Sequence, residues 1–293
     1  MSAGRVSGHF IDGARGPIFV LLRQPEATAR GCVLVVPPFA EEMNKCRRMV
    51  AEVSRGLAEI GIATVIPDLY GTGDSGGDFS DGDWAVWVAD IGRASAWVTA
   101  NSTVVSGILA VRLGGALTVH CISEHLLPAV GATVLWQPVF DGKRFLNQFL
   151  RLRLAASMTE GRKGGIAELR KSLATEGVLE VAGYLINNRL ADDLDRLAAL
   201  DVLPAELGRI ALMEIASDPA AGVSTSSAGL AERTKTQGRQ VSASALPGEP
   251  YWASVEIVCN PRLIQETVTF FGEALLAQTP PEASLGQPPK VAM

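Results

Sequence analysis

Histidine is scarce in this chain: three in 293 residues, His9, His120 and His125, and none after His125. No H-x-x-H or H-E-x-x-H pair occurs and no carboxylates gather at ligand spacing, so the sequence offers no metal site. The four cysteines, Cys32, Cys46, Cys121 and Cys259, include no C-x-x-C pair, which excludes a metal knuckle or dithiol motif. Cys32 and Cys259 sit in or beside apolar runs, where a thiol acts as a small hydrophobe. No uninterrupted apolar run reaches the roughly 18 residues of a membrane span. The N-terminal MSAGRVSGHF has no basic stretch followed by an apolar one, so a soluble, cytoplasmic protein is expected. Lys and Arg (26) are outnumbered by Asp and Glu (31), a net charge of -5 that argues against a nucleic-acid partner. G-x-G-x-x-G between a strand and a helix is also absent, and no cofactor is expected.

What is present is a chain with 47% hydrophobic and 19% charged residues, enough for a sizeable core. Residues 6–11 and 18–23 read as a hairpin. Short, continuously apolar strands at 32–36, 62–66, 104–111 and 131–136 alternate with helices at 42–60, 81–100 and 113–127, the pattern of a parallel sheet covered on both faces. From residue 141 about sixty residues offer no convincing strand. Helices are expected at 145–158 and over most of 166–199, with a break at Gly183-Tyr184. The sheet resumes with RIALMEIA at 209–216, followed by a helix at 230–237, a strand at 239–246 and a closing helix at 261–277. The expected division is a core of residues 1–140 and 205–277, a helical cap of 141–204, and a disordered, Pro- and Gly-rich tail of 278–293.

The stretch VVSGILAVRLGG, residues 104–115, organises this pattern. A buried strand turns sharply into a helix, and small residues (Ala110, Gly114, Gly115) flank the turn where the two backbones come close. This is the form of the nucleophile elbow of α/β-hydrolases, in which the central position carries serine. Here it carries Arg112, whose guanidinium is permanently charged and cannot serve as an acyl nucleophile. Its expected roles are ion pairing or holding an anion at the helix N-terminus.

Gly73-Asp74-Ser75-Gly76-Gly77 matches G-x-S-x-G and resembles the segment around the nucleophile of chymotrypsin-like proteases. Those enzymes are all-β, whereas this chain alternates strand and helix. The segment from Asp68 to Ser75 fits instead a glycine-rich turn after an early strand. The loop Pro37-Pro38-Phe39-Ala40-Glu41-Glu42 stands where the fold supplies an oxyanion-hole N–H. Phe39 and Ala40 could present such donors, and Leu113 follows the elbow position. Glu41 and Glu42 open a helix, where the dipole favours carboxylates, and one of them is expected to pair with Arg112. Asp218, after the strand ending at Ala216, stands where the acid belongs. Past the last strand, where the triad histidine belongs, the sequence reads Gly248-Glu249-Pro250-Tyr251-Trp252.

Five segments together resemble one family: PPFAEEMNKCRRM (37–49), DLYGTGDSGGDF (68–79), LWQPVFDGKRFLNQFLRLRLA (135–155), EVAGYLI (180–186) and GEPYW (248–252). The chain resembles the exosortase A system-associated hydrolase 2 group over residues 31–271. That resemblance implies an α/β-hydrolase fold, cytoplasmic residence, and partners in exosortase/PEP-CTERM sorting and exopolysaccharide systems. It carries over no catalytic residue.

Two functions remain open at this point. One is a binding module that has lost its triad, with Phe39, Ala40, Glu41, Glu42, Arg112, Leu113 and Trp252 around a small anionic or acyl-bearing ligand. The other is a non-standard ester or thioester hydrolase, or acyl transferase, with Arg112 as electrostatic stabiliser and Glu41, Glu42 or Asp218 as base.

Overall fold

The structure, a computed structural model, describes residues 4–159, 164–254 and 256–276; the 278–293 tail lies outside the described residues. An eight-stranded sheet runs through the molecule. Its strands are β1 (Arg5–Asp12), β2 (Pro17–Gln24), β3 (Cys32–Val36), β4 (Ala63–Pro67), β5 (Val105–Val111), β6 (Ala132–Trp136), and two further strands that take the names β9 (Arg209–Ala216) and β10 (Val241–Pro247). Their spatial order is β1-β2-β4-β3-β5-β6-β9-β10. Only β2 runs against the others: it is antiparallel to both β1 and β4, and the remaining pairs are parallel. β3 and β6 are buried at every residue, as the continuous apolar runs require of strands covered on both faces.

Two apolar clusters occupy the two faces. On one, α1 (Glu41–Glu59) and α8 (Pro261–Phe271) cover Val33, Val35, Leu109, Val134 and Trp136. On the other, α2 (Trp84–Asn101) and α3 (Gly114–Ser123) cover Leu34, Ile108, Ala110 and Leu135. Caps set several boundaries. Asp83 accepts from the Val86 N–H to start α2, and Asn260 accepts from Leu263 before Pro261 to start α8.

Several elements differ from those read in the sequence. α3 stops at Ser123 instead of running to 127, because His125 adopts φ 57° and closes a Schellman cap. In that cap the Leu126 and His125 N–H groups donate to the Cys121 and Ile122 carbonyls. Helix α7 (Thr225–Thr236) starts five residues earlier than expected, capped by Ser224. Finally, residues 141–204 do contain strands. Between α4 (Gly142–Thr159), α5 (Ile166–Glu176) and α6 (Asn188–Arg196) lies a hairpin of β7 (Val178–Val181) and β8 (Tyr184–Asn187). Its two-residue turn is Ala182-Gly183, with φ 50° and 83°, the doubly positive backbone that a tight hairpin needs. The break expected at Gly183 is that turn.

Candidate functional site

The C-terminal edge of the parallel strands is where the backbone is strained. Ala40, Arg112 and Gln137 follow β3, β5 and β6 with φ of 51°, 56° and 43°. For non-glycine residues each such position costs about 1–3 kcal/mol and persists only where its surroundings hold it. At Arg112 the N–H donates to the Trp136 carbonyl (2.9 Å), and the carbonyl accepts from Gly115 (3.0 Å) and Val139 (3.1 Å). The turn lies so close behind β3 that a Cβ on Gly114 would stand 2.5 Å from the Val36 carbonyl oxygen. At Gly115 the nearest atom would be a comfortable 3.4 Å away, so only the first glycine is sterically required. The turn has the elbow's geometry and presents a guanidinium.

That guanidinium is tightly held. Its Nε and Nη2 donate to Glu42 Oε1 at 3.1 and 2.9 Å, and Nη1 reaches the Gln137 carbonyl at 3.5 Å. The Trp252 ring lies 4.7 Å from its centre, a cation–π contact. The two charged side chains are only 12% and 10% exposed. Of the two glutamates, Glu42 is the partner; successive helical residues point about 100° apart, which turns Glu41 elsewhere. Burial pushes the Glu42 carboxyl up, and Arg112 beside it pulls it back part of the way. Burial also raises Glu41. Below Trp252, Tyr251 is fully buried and packs edge-on against Trp136. Glu41 Oε2, Glu42 Oε2 and the Tyr251 hydroxyl have no hydrogen-bond partner among the described residues.

The backbone N–H groups of Phe39, Ala40 and Leu113 also have no partner among the described residues. Above them the space is filled. The Phe39 ring makes edge-to-face contacts with Phe79, Trp87, Phe145 and Phe149 at 5.1–5.9 Å. The cavity left between Phe39, Ala40, Leu113 and Leu117 is about 10 Å³, the threshold for one water. On the opposite side of Arg112 a cavity of about 390 Å³ opens between α4 and the start of α7.

Of the residues expected at the site, Arg112 thus contacts Glu42 and Trp252, while Phe39, Ala40 and Leu113 line the small cavity. Asp218 does not join them. It is exposed and spends its carboxylate on the Ala220 N–H in a single 3₁₀ turn (Pro219–Ala221). The acid at that strand end is Glu214, buried, accepting from the Ser224 N–H (2.6 Å), the Ser224 hydroxyl (2.9 Å) and the Ser227 hydroxyl. Sequence reasoning missed it, although a lone charge inside RIALMEIA was the available signal. It missed Arg144 as well, which lines the larger cavity.

Ser75 has a structural task. Its Oγ donates to the Asp68 carbonyl (2.6 Å) and accepts from the Phe19 N–H (2.8 Å), pinning β2 to the turn after β4. His120 is engaged by the Trp84 indole N–H at Nδ1 (2.6 Å). Among the described residues no three His, Cys, Asp or Glu side chains gather as metal ligands, and no helix is long and apolar enough to cross a membrane.

The strand order, the single antiparallel β2 and the β5–α3 elbow define an α/β-hydrolase fold. Solved structures share it over more than nine-tenths of the chain. Est1E from Butyrivibrio proteoclasticus, with ferulic acid bound, superposes with a TM-score of 0.65 at 16% identity, over 92% of this chain and 99% of that one. An α/β serine hydrolase without lid, XC6422 from Xanthomonas campestris, gives 0.55 at 14% identity, over 94% and 97%. Carboxyl esterase 2 from the mycorrhizal fungus Tuber melanosporum gives 0.58 at 13% identity, over 94% and 89%. No family model matches the sequence, and no curated protein matches it.

Proposed function

We propose that this hydrolase-like protein lacks a working Ser–His–Asp triad and binds a small anionic or acyl-bearing ligand under a helical cap of residues 141–204. The core would be residues 1–140 and 205–277. The observation that carries the reading is Arg112 at the elbow, held by Glu42 and stacked on Trp252 where a triad histidine would stand. A guanidinium cannot attack an acyl carbon, but it holds anions well. Phe39, Ala40, Glu41, Glu42, Leu113 and Trp252 complete the surroundings. With the resemblance to exosortase-associated hydrolases, the reading places the protein in the cytoplasm, beside exopolysaccharide and sorting proteins.

A fluorophosphonate probe should leave the chain unlabelled, and a screen of esters and thioesters should find no turnover. Small carboxylates and phosphates should raise its melting temperature, an effect lost in Arg112→Ala. Labelling at Ser75, or no anion effect, would overturn the reading.

One observation favours a second reading, a non-standard ester or thioester hydrolase or acyl transferase. The N–H groups of Phe39, Ala40 and Leu113 have no partner among the described residues, and an oxyanion hole is built from such donors. Turnover abolished by Arg112→Ala would establish it.

A further inference from the structure

The eight-stranded sheet ends in two unlike edges. At one, β10 reads VSASALP: its side chains are mostly small, it closes on a proline, and none of them is a large exposed hydrophobe. At the other, β1 reads RVSGHFID. Between Arg5 and Asp12 no proline, bulge, lysine or acid interrupts it, and its register with β2 is regular through the whole strand. Those are the devices that keep an edge strand from pairing with another chain. Among the described residues no strand lies beyond β1, so alternate N–H and C=O groups face outward.

The two faces of β1 differ as well. Its odd-numbered residues look toward α2: Ile11 is buried in the core there, and the His9 ring lies 4.8 Å from that of Trp97. The even-numbered residues carry Val6 and Phe10, 48% and 67% exposed, with Gly8 between them. Phe10 is the most exposed large hydrophobe among the described residues. From β2 the half-buried Phe19 and Leu21 share this face, and Phe19 meets Phe10 edge-on at 5.5 Å. Gly8 leaves room for that arrangement, since a Cβ on it would stand 2.7 Å from the Phe19 ring. The strand keeps its formal charges at its two ends. The side chains of Arg5 and Asp12 have no hydrogen bond or ion pair among the described residues.

We infer that the chain forms a dimer in which β1 pairs antiparallel with β1 of a second copy, about a two-fold axis at Gly8, so that the two sheets become one. A two-fold contact sets a surface against itself, so the strand must be self-complementary. In an antiparallel pair, outward-facing residues oppose outward-facing residues, and the offset between the copies changes only in steps of two. Centred on Gly8, Val6 opposes Phe10 of the second copy, and Phe10 opposes its Val6. Ser7 then opposes His9, and Arg5 opposes Ile11 beside Asp12. The exposed apolar pair is thus covered twice, and ends of opposite charge adjoin. Centred on His9, the strand would set Val6 against Asp12 and His9 against its own copy. Centred on Ser7, it would set Phe10 against Gly4. Of the three, the register at Gly8 alone matches apolar to apolar.

Sedimentation velocity on the full chain at micromolar concentrations tests this, and the wild type should sediment as a dimer. Phe10→Asp and Val6→Asp, both at exposed positions, should each raise the dissociation constant about tenfold or more, the scale of a central interface residue. Leu152→Asp, at an exposed apolar position of α4, should leave it unchanged. Far-UV circular dichroism equal to wild type separates dissociation from misfolding. Disulfide trapping in a Cys259→Ser background reads the register, because directly opposed residues lie within disulfide reach. Val6→Cys with Phe10→Cys should link the copies under mild oxidation, and Val6→Cys with Asp12→Cys should not. A wild type that stays monomeric, with β1 open or covered by residues 277–293 of its own chain, would overturn the inference. So would a dimer indifferent to both aspartates, or linkage through position 12 in place of position 10.

Discussion

Two crowded turns stand at the same edge of the sheet, and they divide the features of a serine hydrolase between them. The turn after β4 has the serine, in the motif G-x-S-x-G. The turn after β5 has the elbow geometry. In the first, a Cβ on Gly73 would fall 1.9 Å from Asp68 Oδ2; in the second, one on Gly114 would fall 2.5 Å from the Val36 oxygen. Both therefore need glycine at one position, but for different ends. The β4 turn is wound around the buried Asp68 carboxylate, which also takes Arg47 and the Asp74 N–H. Its serine faces inward as part of that winding. The β5 turn holds its central residue on strained backbone against the pocket. Each turn thus carries one feature of a serine hydrolase without the other, and the partners of Ser75 show that its side chain holds the turn together.

Substitutions can break or sharpen this contrast. The largest effect is expected at the elbow. Glu42→Ala strands a nearly buried guanidinium and should cost about 3–5 kcal/mol in urea unfolding. A cost below about 1 kcal/mol, the level of an exposed pair, would mean that Arg112 finds solvent. Gly73→Ala places a methyl on the Asp68 carboxylate at φ 54° and should cost about 3 kcal/mol. Ser75→Ala removes one hydrogen bond given and one received and should cost about 1–3 kcal/mol by thermal melting, without altering anion binding. A change in binding would return Ser75 to the site. Trp252→Leu removes the ring over Arg112 and should cost about 1 kcal/mol.

The smallest effect is one of pH. Burial holds the Glu42 carboxyl above its ordinary value of 4.5, so the folded chain binds that proton more readily than the unfolded chain. The stability it contributes is complete below 4.5 and is lost as pH rises through the folded-state value. Unfolding of wild type and Glu42→Gln in parallel should show their difference moving against wild type as pH rises above that point. A constant difference would show that Arg112 fully offsets the burial.

Much of the scaffold is legible without coordinates because buried parallel strands write themselves as apolar runs. The elbow, the expected pairing of Arg112 with one of two adjacent glutamates, and the closeness of Trp252 follow from position in that pattern. What is not legible depends on local backbone or on exact direction. The β7–β8 hairpin turns on positive φ at Ala182, a residue with no preference for it. Asp218 stands one turn too far out because Pro219–Ala221 captures its carboxylate. The early start of α7 hides behind Ser224-Thr225-Ser226-Ser227, which reads as loop until Ser224 is seen to cap it. With that start hidden, Glu214 loses the partners that explain it.

The Glu42–Arg112 pair also constrains how such a protein can change. Neither residue is free to drift alone, since replacing either leaves the other charged, enclosed and without its counterpart. A serine placed at position 112 would need a neutral residue at position 42 in the same step, since Glu42 would otherwise be left nearly buried without its cation. In a double-mutant cycle, Glu42→Ala combined with Arg112→Ala should be less damaging than the sum of the two single changes.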